Sequence, residues 1–461
     1  MVLPNSYVEK VKTGIPGLDD VLGGGFLKGS LILIAGHPGA GKTTFSAMFI
    51  YNGAVKFGEK GVYLNFCESK RDFYAYMKNF GMDFESLEKE GKIRYIDAMT
   101  VVSAKDVEDI IRFLIESIID LDAKRVVIDS LSVITDLLTP EKARALINNT
   151  LAKILKNLGV TAILIMDLPY GEEKIGHGIE EFITDAVFAL YLNISGDKIE
   201  RYLEIRKIRG IKTEYAIIPY IIKENGLEII IPPPHGIQGS FSCDITYTTG
   251  VPKLDEMLGG GINKGSLSVI MGPSGSGKTM LALSIAIANA AEGKKVLFIS
   301  FSESVKQLHE RIRAIGHDPE KLSRFLKIRA INPFGYPKYV MLIKFRDIIN
   351  EFKPELYIVD SLERFMIALG EEDFIRYIGR RAYELKSLGL TTIMTMSVDH
   401  LKKGAYIDDL MDNIILLKMY CDKTGIQRYL YIWKTRGKKG FDKPALLSVT
   451  DDGKVELTIK D

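Results

Sequence analysis

The sequence predicts an α/β protein of two tandem domains, each a mostly parallel sheet flanked by helices and each carrying its own phosphate-binding loop. Three observations lead there. Thr13-Gly14-Ile15-Pro16-Gly17-Leu18-Asp19 returns 236 residues later as Thr249-Gly250-Val251-Pro252-Lys253-Leu254-Asp255, a period too long for stacked small repeats and right for a duplicated domain. Within each copy, short aliphatic and β-branched runs alternate with longer helical stretches, the rhythm of strand–helix–strand units. A glycine-rich loop falls at the same place in both.

In the first half, residues 31–35 are expected as a strand, 43–55 as a helix and 62–66 as the next strand, with further strands at 126–129 and 162–166. Apolar runs without alternation fit strands covered on both faces. Residues 186–192 and 202–208 are expected as a closing antiparallel portion. Pro232-Pro233-Pro234 followed by His235-Gly236 suits neither helix nor ladder, so the linker is placed at 232–244 and the domains at 1–235 and 236–461.

Composition narrows the function. Apolar residues make up 46% and charged residues 26% of the 461, values of a folded globular chain. Lys and Arg number 61 against 59 Asp and Glu, a net charge of +2, which disfavours nonspecific binding to nucleic acid. Cys67, Cys243 and Cys421 form no Cys-x-x-Cys pair, arguing against disulfides and structural zinc and for a reducing cytoplasm. Neither a targeting segment nor a membrane span is expected.

Gly36-His37-Pro38-Gly39-Ala40-Gly41-Lys42-Thr43 and Gly272-Pro273-Ser274-Gly275-Ser276-Gly277-Lys278-Thr279 match G-x-x-x-x-G-K-[ST], each after an apolar strand and opening a helix. Backbone amides of Gly39, Ala40 and Gly41, and of Gly275, Ser276 and Gly277, are placed around ATP phosphates, with Lys42 and Lys278 on the β and γ oxygens and Thr44 and Met280 closing each loop. Thr43 and Thr279 are expected on Mg²⁺. Asp129 and Asp360, each ending an apolar strand, complete the metal site. Glu68 and Glu303, each just after the strand that follows the loop helix, are the candidates to polarise the attacking water, although a solvated surface acid would have the same sequence. Lys207-Ile208-Arg209-Gly210 and Lys434-Thr435-Arg436-Gly437 put two cations on one strand face, suited either to a γ-phosphate held by a neighbouring subunit or to a plain basic edge.

The loops, the Thr-Gly-x-Pro-x-Leu-Asp segments, the Leu-Gly-Gly-Gly segments at 22–25 and 258–261, and the Lys-x-Arg-Gly strands together resemble the KaiC family within the RecA superfamily, over nearly the whole chain. The resemblance implies two RecA-like domains, ATP at the subunit interfaces of a hexameric double ring, slow hydrolysis in the first domain, and autokinase and autophosphatase activity in the second. It also implies signalling proteins as partners.

Three departures qualify it. The family's clock protein has two adjacent acids after the strand aromatic, whereas this chain has Cys67-Glu68 and Ser302-Glu303, leaving Glu68 and Glu303 to take over. Asp408 and Asp409 align with the phosphorylated Ser-Thr pair and are expected to supply fixed negative charge instead. The strand expected at 454–459 is followed only by Lys460 and Asp461, so no long regulatory tail is expected and a clock role is disfavoured. Two rivals remain: a RecA-like DNA-binding ATPase, and a nucleotide-dependent signalling scaffold with little turnover.

Overall fold

The computed structural model describes residues 9–231 except 177, 179 and 196, and residues 242–459 except 398–404, 423–424, 438–440, 442 and 451. The chain divides into two compact units, Met1–Ile231 and Pro232–Asp461.

In the first unit, β1 (Leu31–Gly36) leads through the glycine-rich loop into α1 (Lys42–Lys56). Then come β2 (Gly61–Asn65), β3 (Ile93–Asp97), β4 (Arg125–Asp129), β5 (Thr161–Asp167), β6 (Ala186–Ser195), β7 (Lys198–Ile208), β8 (Ile217–Lys223) and β9 (Gly226–Ile229). They form one nine-stranded sheet in the order β3-β2-β4-β5-β1-β6-β7-β8-β9. Strand β1 is central and entirely buried. Its side chains alternate between two cores, Ile32 and Ile34 on the face that α1 covers, Leu31, Leu33 and Ala35 on the other.

The second unit repeats this plan. Its elements are β10 (Leu267–Met271), α2 (Lys278–Ala291), β11 (Val296–Ser300), β12 (Leu326–Ala330), β13 (Leu356–Asp360), β14 (Thr391–Met396), β15 (Asn413–Asp422), β16 (Gly425–Thr435), β17 (Ala445–Val449) and β18 (Val455–Ile459). The sheet order is β12-β11-β13-β14-β10-β15-β16-β17-β18. Strand for strand, the topology is that of the first unit.

One expectation holds and another needs correcting. The runs at 186–192 and 202–208 do pair antiparallel, as β6 with β7, while β6 itself lies parallel to β1, so orientation reverses at the β6–β7 hairpin. Apolar periodicity does not encode strand direction. The expected linker lies outside the described residues from 232 to 241, but its end does not, because Ser242–Tyr247 is a strand paired with Ile262–Lys264.

The repeated Thr-Gly-x-Pro-x-Leu-Asp segment has a structural explanation. Asp19 accepts hydrogen bonds from the Thr13 amide and hydroxyl, both at 2.7 Å, and from the Gly14 amide at 3.2 Å. Asn52 of α1 then donates to the Gly14 carbonyl at 3.0 Å. A Cβ on Gly14, whose φ is +72°, would sit 2.5 Å from the Asn52 Cβ, so only glycine allows this approach. Asp255, Thr249 and Asn289 repeat the arrangement, with Asn289 donating to the Thr248 carbonyl at 2.7 Å. The segment thus fastens the start of each unit to the helix that begins at its loop.

One feature is not duplicated. Arg125, first residue of β4, is fully buried; it pairs with Glu59 at 2.6 Å and donates to the Phe49 and Lys12 carbonyls, both at 2.8 Å. The residue opening β13 is Leu356.

Candidate functional site

Both glycine-rich loops end on an open helix terminus. Gly41 caps α1 in the left-handed region, with φ +95°, and Gly277 caps α2 at φ +103°; neither helix has a side-chain cap on its first amides. Free amides and the helix dipole make such a terminus an anion site. The lysines lie along the loops: Lys42 Nζ donates to the Gly36 and His37 carbonyls at 2.8 and 3.3 Å, Lys278 Nζ to those of Gly272 and Pro273 at 2.7 and 2.9 Å. Thr44 is buried at the start of α1, while Met280, half-buried in α2, receives a contact from Arg311 on its sulfur.

Each loop threonine meets its strand-end aspartate. Thr43 Oγ1 donates to Asp129 at 3.0 Å, and Thr279 Oγ1 to both oxygens of Asp360 at 3.1 Å. Burial pushes both carboxyls above the ordinary aspartate range; hydroxyl donors pull them back, Tyr63 and Thr43 at Asp129, Thr395 and Thr279 at Asp360. A buried carboxylate of this kind gains from a cation. One carboxylate and one hydroxyl suit Mg²⁺, which keeps several waters and takes its other ligands from phosphate, and no group of three or more His, Cys, Asp or Glu among the described residues forms a closed metal cage.

Glu68 and Glu303 occupy matching positions in different surroundings. Glu68 Oε2 is buried without a hydrogen-bond partner, and burial, then the charges of Asp129 and Asp72, lifts its carboxyl above the usual range. Glu303 is tied to Arg311 at 2.8 Å. The acid beside Asp129 is thus unengaged, whereas its counterpart is held by a cation on the following helix. Cys67 is exposed as a residue, but its sulfur is partly covered, and that desolvation, then Asp129 and Asp167, pushes the thiol up.

The Lys-x-Arg pairs each converge on one turn. Lys207 Nζ donates to the carbonyls of Glu181, Phe182 and Thr184, and Arg209 reaches Asp185 and the Phe182 carbonyl, both at 3.4 Å. Burial, then Arg209, pushes the Lys207 ammonium down. In the second unit, Lys434 donates to the Asp408 carbonyl at 2.6 Å; Arg436 pairs with Asp412 at 3.2 Å and reaches the Asp409 carbonyl at 3.0 Å. All four cations bond beside the start of β6 or β15, not the loops. Asp408 is half-buried and Asp409 exposed, and burial lifts the Asp408 carboxyl despite nearby Lys434.

Three site residues escaped sequence reasoning. Tyr63 in β2 donates to Asp129 at 2.8 Å, Thr395 in β14 donates to Asp360 at 2.5 Å, and Asp167, ending β5, pairs with Lys42 at 3.1 Å. Each sits on a strand adjacent to β4, β13 or β1, and adjacency needs the sheet order. An Asp directly after the apolar run at 162–166 was the available signal for Asp167.

A family model described as "ATPase: KaiC" matches residues 11–233 and again 247–459. The circadian clock oscillator protein KaiC of Synechococcus elongatus is 31% identical over 95% of this chain and 88% of its own length. Two proteins of Synechocystis sp. are similar: circadian clock protein KaiC3, 32% identical over 93% of this chain and 88% of its own, and circadian clock protein KaiC2, 29% identical over 96% and 80%.

Proposed function

This chain belongs to the KaiC family of ATPases, and from that premise we propose that it binds Mg-ATP once in each domain, 1–235 and 236–461, as part of a hexameric ring. The observation that carries the reading is the doubled Thr–Asp pair beside an uncapped helix terminus, Thr43 with Asp129 and Thr279 with Asp360. Loop amides and Lys42 or Lys278 hold the phosphates; Thr43 with Asp129, and Thr279 with Asp360, hold the metal, which when bound offsets phosphate charge. Glu68 orients and deprotonates the attacking water in the first domain. Glu303, held by Arg311, does so more slowly in the second, which serves chiefly to retain nucleotide.

Lys207, Arg209, Lys434 and Arg436 bond a turn of their own unit and not its phosphate loop, which supports a target on the next subunit, where they stabilise charge developing on the γ-phosphate. Asp408 and Asp409 carry negative charge where the resemblance to the family implies phosphate acceptors, so phosphate is not stably transferred there. The setting is cytoplasmic, with signalling proteins as partners; no helix among the described residues is long and apolar enough to cross a membrane.

Titration calorimetry with ATP and magnesium tests the core of this. The expected result is two sites in the intact chain and one in each of Lys42→Ala and Lys278→Ala. No heat of binding from the folded intact chain would overturn it.

A further inference from the structure

The two loops differ at one neighbouring position. Strand β1 runs beside β5 in a register that places Gly36 opposite Asp167; β10 runs beside β14 with Met271 opposite Met396, so the residue facing Gly272 is Ser397. The first loop thus has a carboxylate at its mouth where the second has a hydroxyl.

That carboxylate is engaged. Asp167 Oδ1 lies 3.1 Å from Lys42 Nζ, and its backbone amide is held in place, donating to the Ser132 hydroxyl at 3.0 Å. Ser130, next to the metal aspartate, lies 3.5 Å from Asp167 Oδ2. Three residues on, Tyr170 donates to the Pro38 carbonyl at 3.0 Å and packs on His37 with ring centroids 4.5 Å apart. The segment from Asp167 to Tyr170 is therefore anchored to the loop at both ends.

A phosphate-loop lysine takes the β and γ oxygens of the nucleotide. We infer that Asp167 is a specificity-determining residue of the first site: its carboxylate occupies the place on Lys42 that a γ-phosphate oxygen takes, and so weakens the site's preference for ATP over ADP. This rests on the two-site reading above. When ATP arrives, Asp167 must release Lys42 and then faces the additional negative charge of the γ-phosphate. ADP has no γ-phosphate and so sets no such charge against Asp167. With the Asp167 side chain 55% exposed, water and salt screen the effect, which makes it modest and dependent on ionic strength.

The test uses the full chain carrying Lys278→Ala, so that only the first site is read. Affinities for a non-hydrolysable ATP analogue and for ADP, both with magnesium, are measured by calorimetry with and without Asp167→Asn, and with Asp167→Ser, which copies the second half. The expected result is a rise of roughly fivefold in the ratio of analogue to ADP affinity for both variants, shrinking as salt is raised. Unaltered melting temperatures would separate this from a general loss of structure. A ratio that stays the same or falls while the nucleotides still bind overturns the role of Asp167 alone. Absence of binding in the Lys278→Ala parent overturns the two-site reading along with it.

Discussion

Glu68 and Glu303 are chemically identical and differently employed. A carboxylate that already serves an arginine is a poorer proton acceptor than one lying unpaired next to Asp129, and Glu68 has the additional advantage of a raised pKa, closer to working pH. Glu68→Gln is therefore expected to lower first-site turnover by about 10²-fold or more while leaving ATP affinity intact, measured as phosphate release in the Lys278→Ala chain. The sign of the pH response follows from the base needing to be ionised: turnover rises with pH through the Glu68 pKa, and burial places that rise above the ordinary glutamate range. A pH profile unchanged by Glu68→Gln would remove Glu68 from the mechanism.

At the scale of elements, the entry segments act as fasteners. Asp19 satisfies a buried threonine and two backbone amides, and Asn52 of α1 ties the same segment to the loop helix through the Gly14 carbonyl. Asp19→Ala leaves those donors unmatched and is expected to cost about 1–3 kcal/mol, seen as an earlier urea transition of the first unit with the second unmoved. Asp255→Ala should show the converse. Much of this architecture was legible beforehand: Leu31 to Gly36 is apolar throughout because both faces of a central strand are covered, and the loops announce themselves by glycine spacing. Strand direction was not legible at β6, since parallel and antiparallel neighbours bury the same side chains. Nor were Tyr63, Thr395 and Asp167, which reach the site from strands far along the chain that only the sheet order makes adjacent.

For the whole molecule, the cross-subunit role proposed for the Lys-x-Arg pairs requires more than one copy of the chain. Native mass measurement with ATP and magnesium is expected to give six times the chain mass, and a monomer under those conditions would remove the cross-subunit role of Lys207, Arg209, Lys434 and Arg436. The duplicated plan also carries a hazard: neighbouring copies of one fold in a single polypeptide can exchange strands as they emerge and fold. Arg125 bears on that hazard. Its guanidinium is neutralised by Glu59 and satisfied by two carbonyls of the first unit, while the matching strand of the second begins with Leu356. A β4 segment inserted in the wrong sheet would bury a cation whose counter-ion was left behind, a penalty of several kcal/mol. The divergence of one residue at the start of a strand thus helps each half of the newly made chain recognise its own parts.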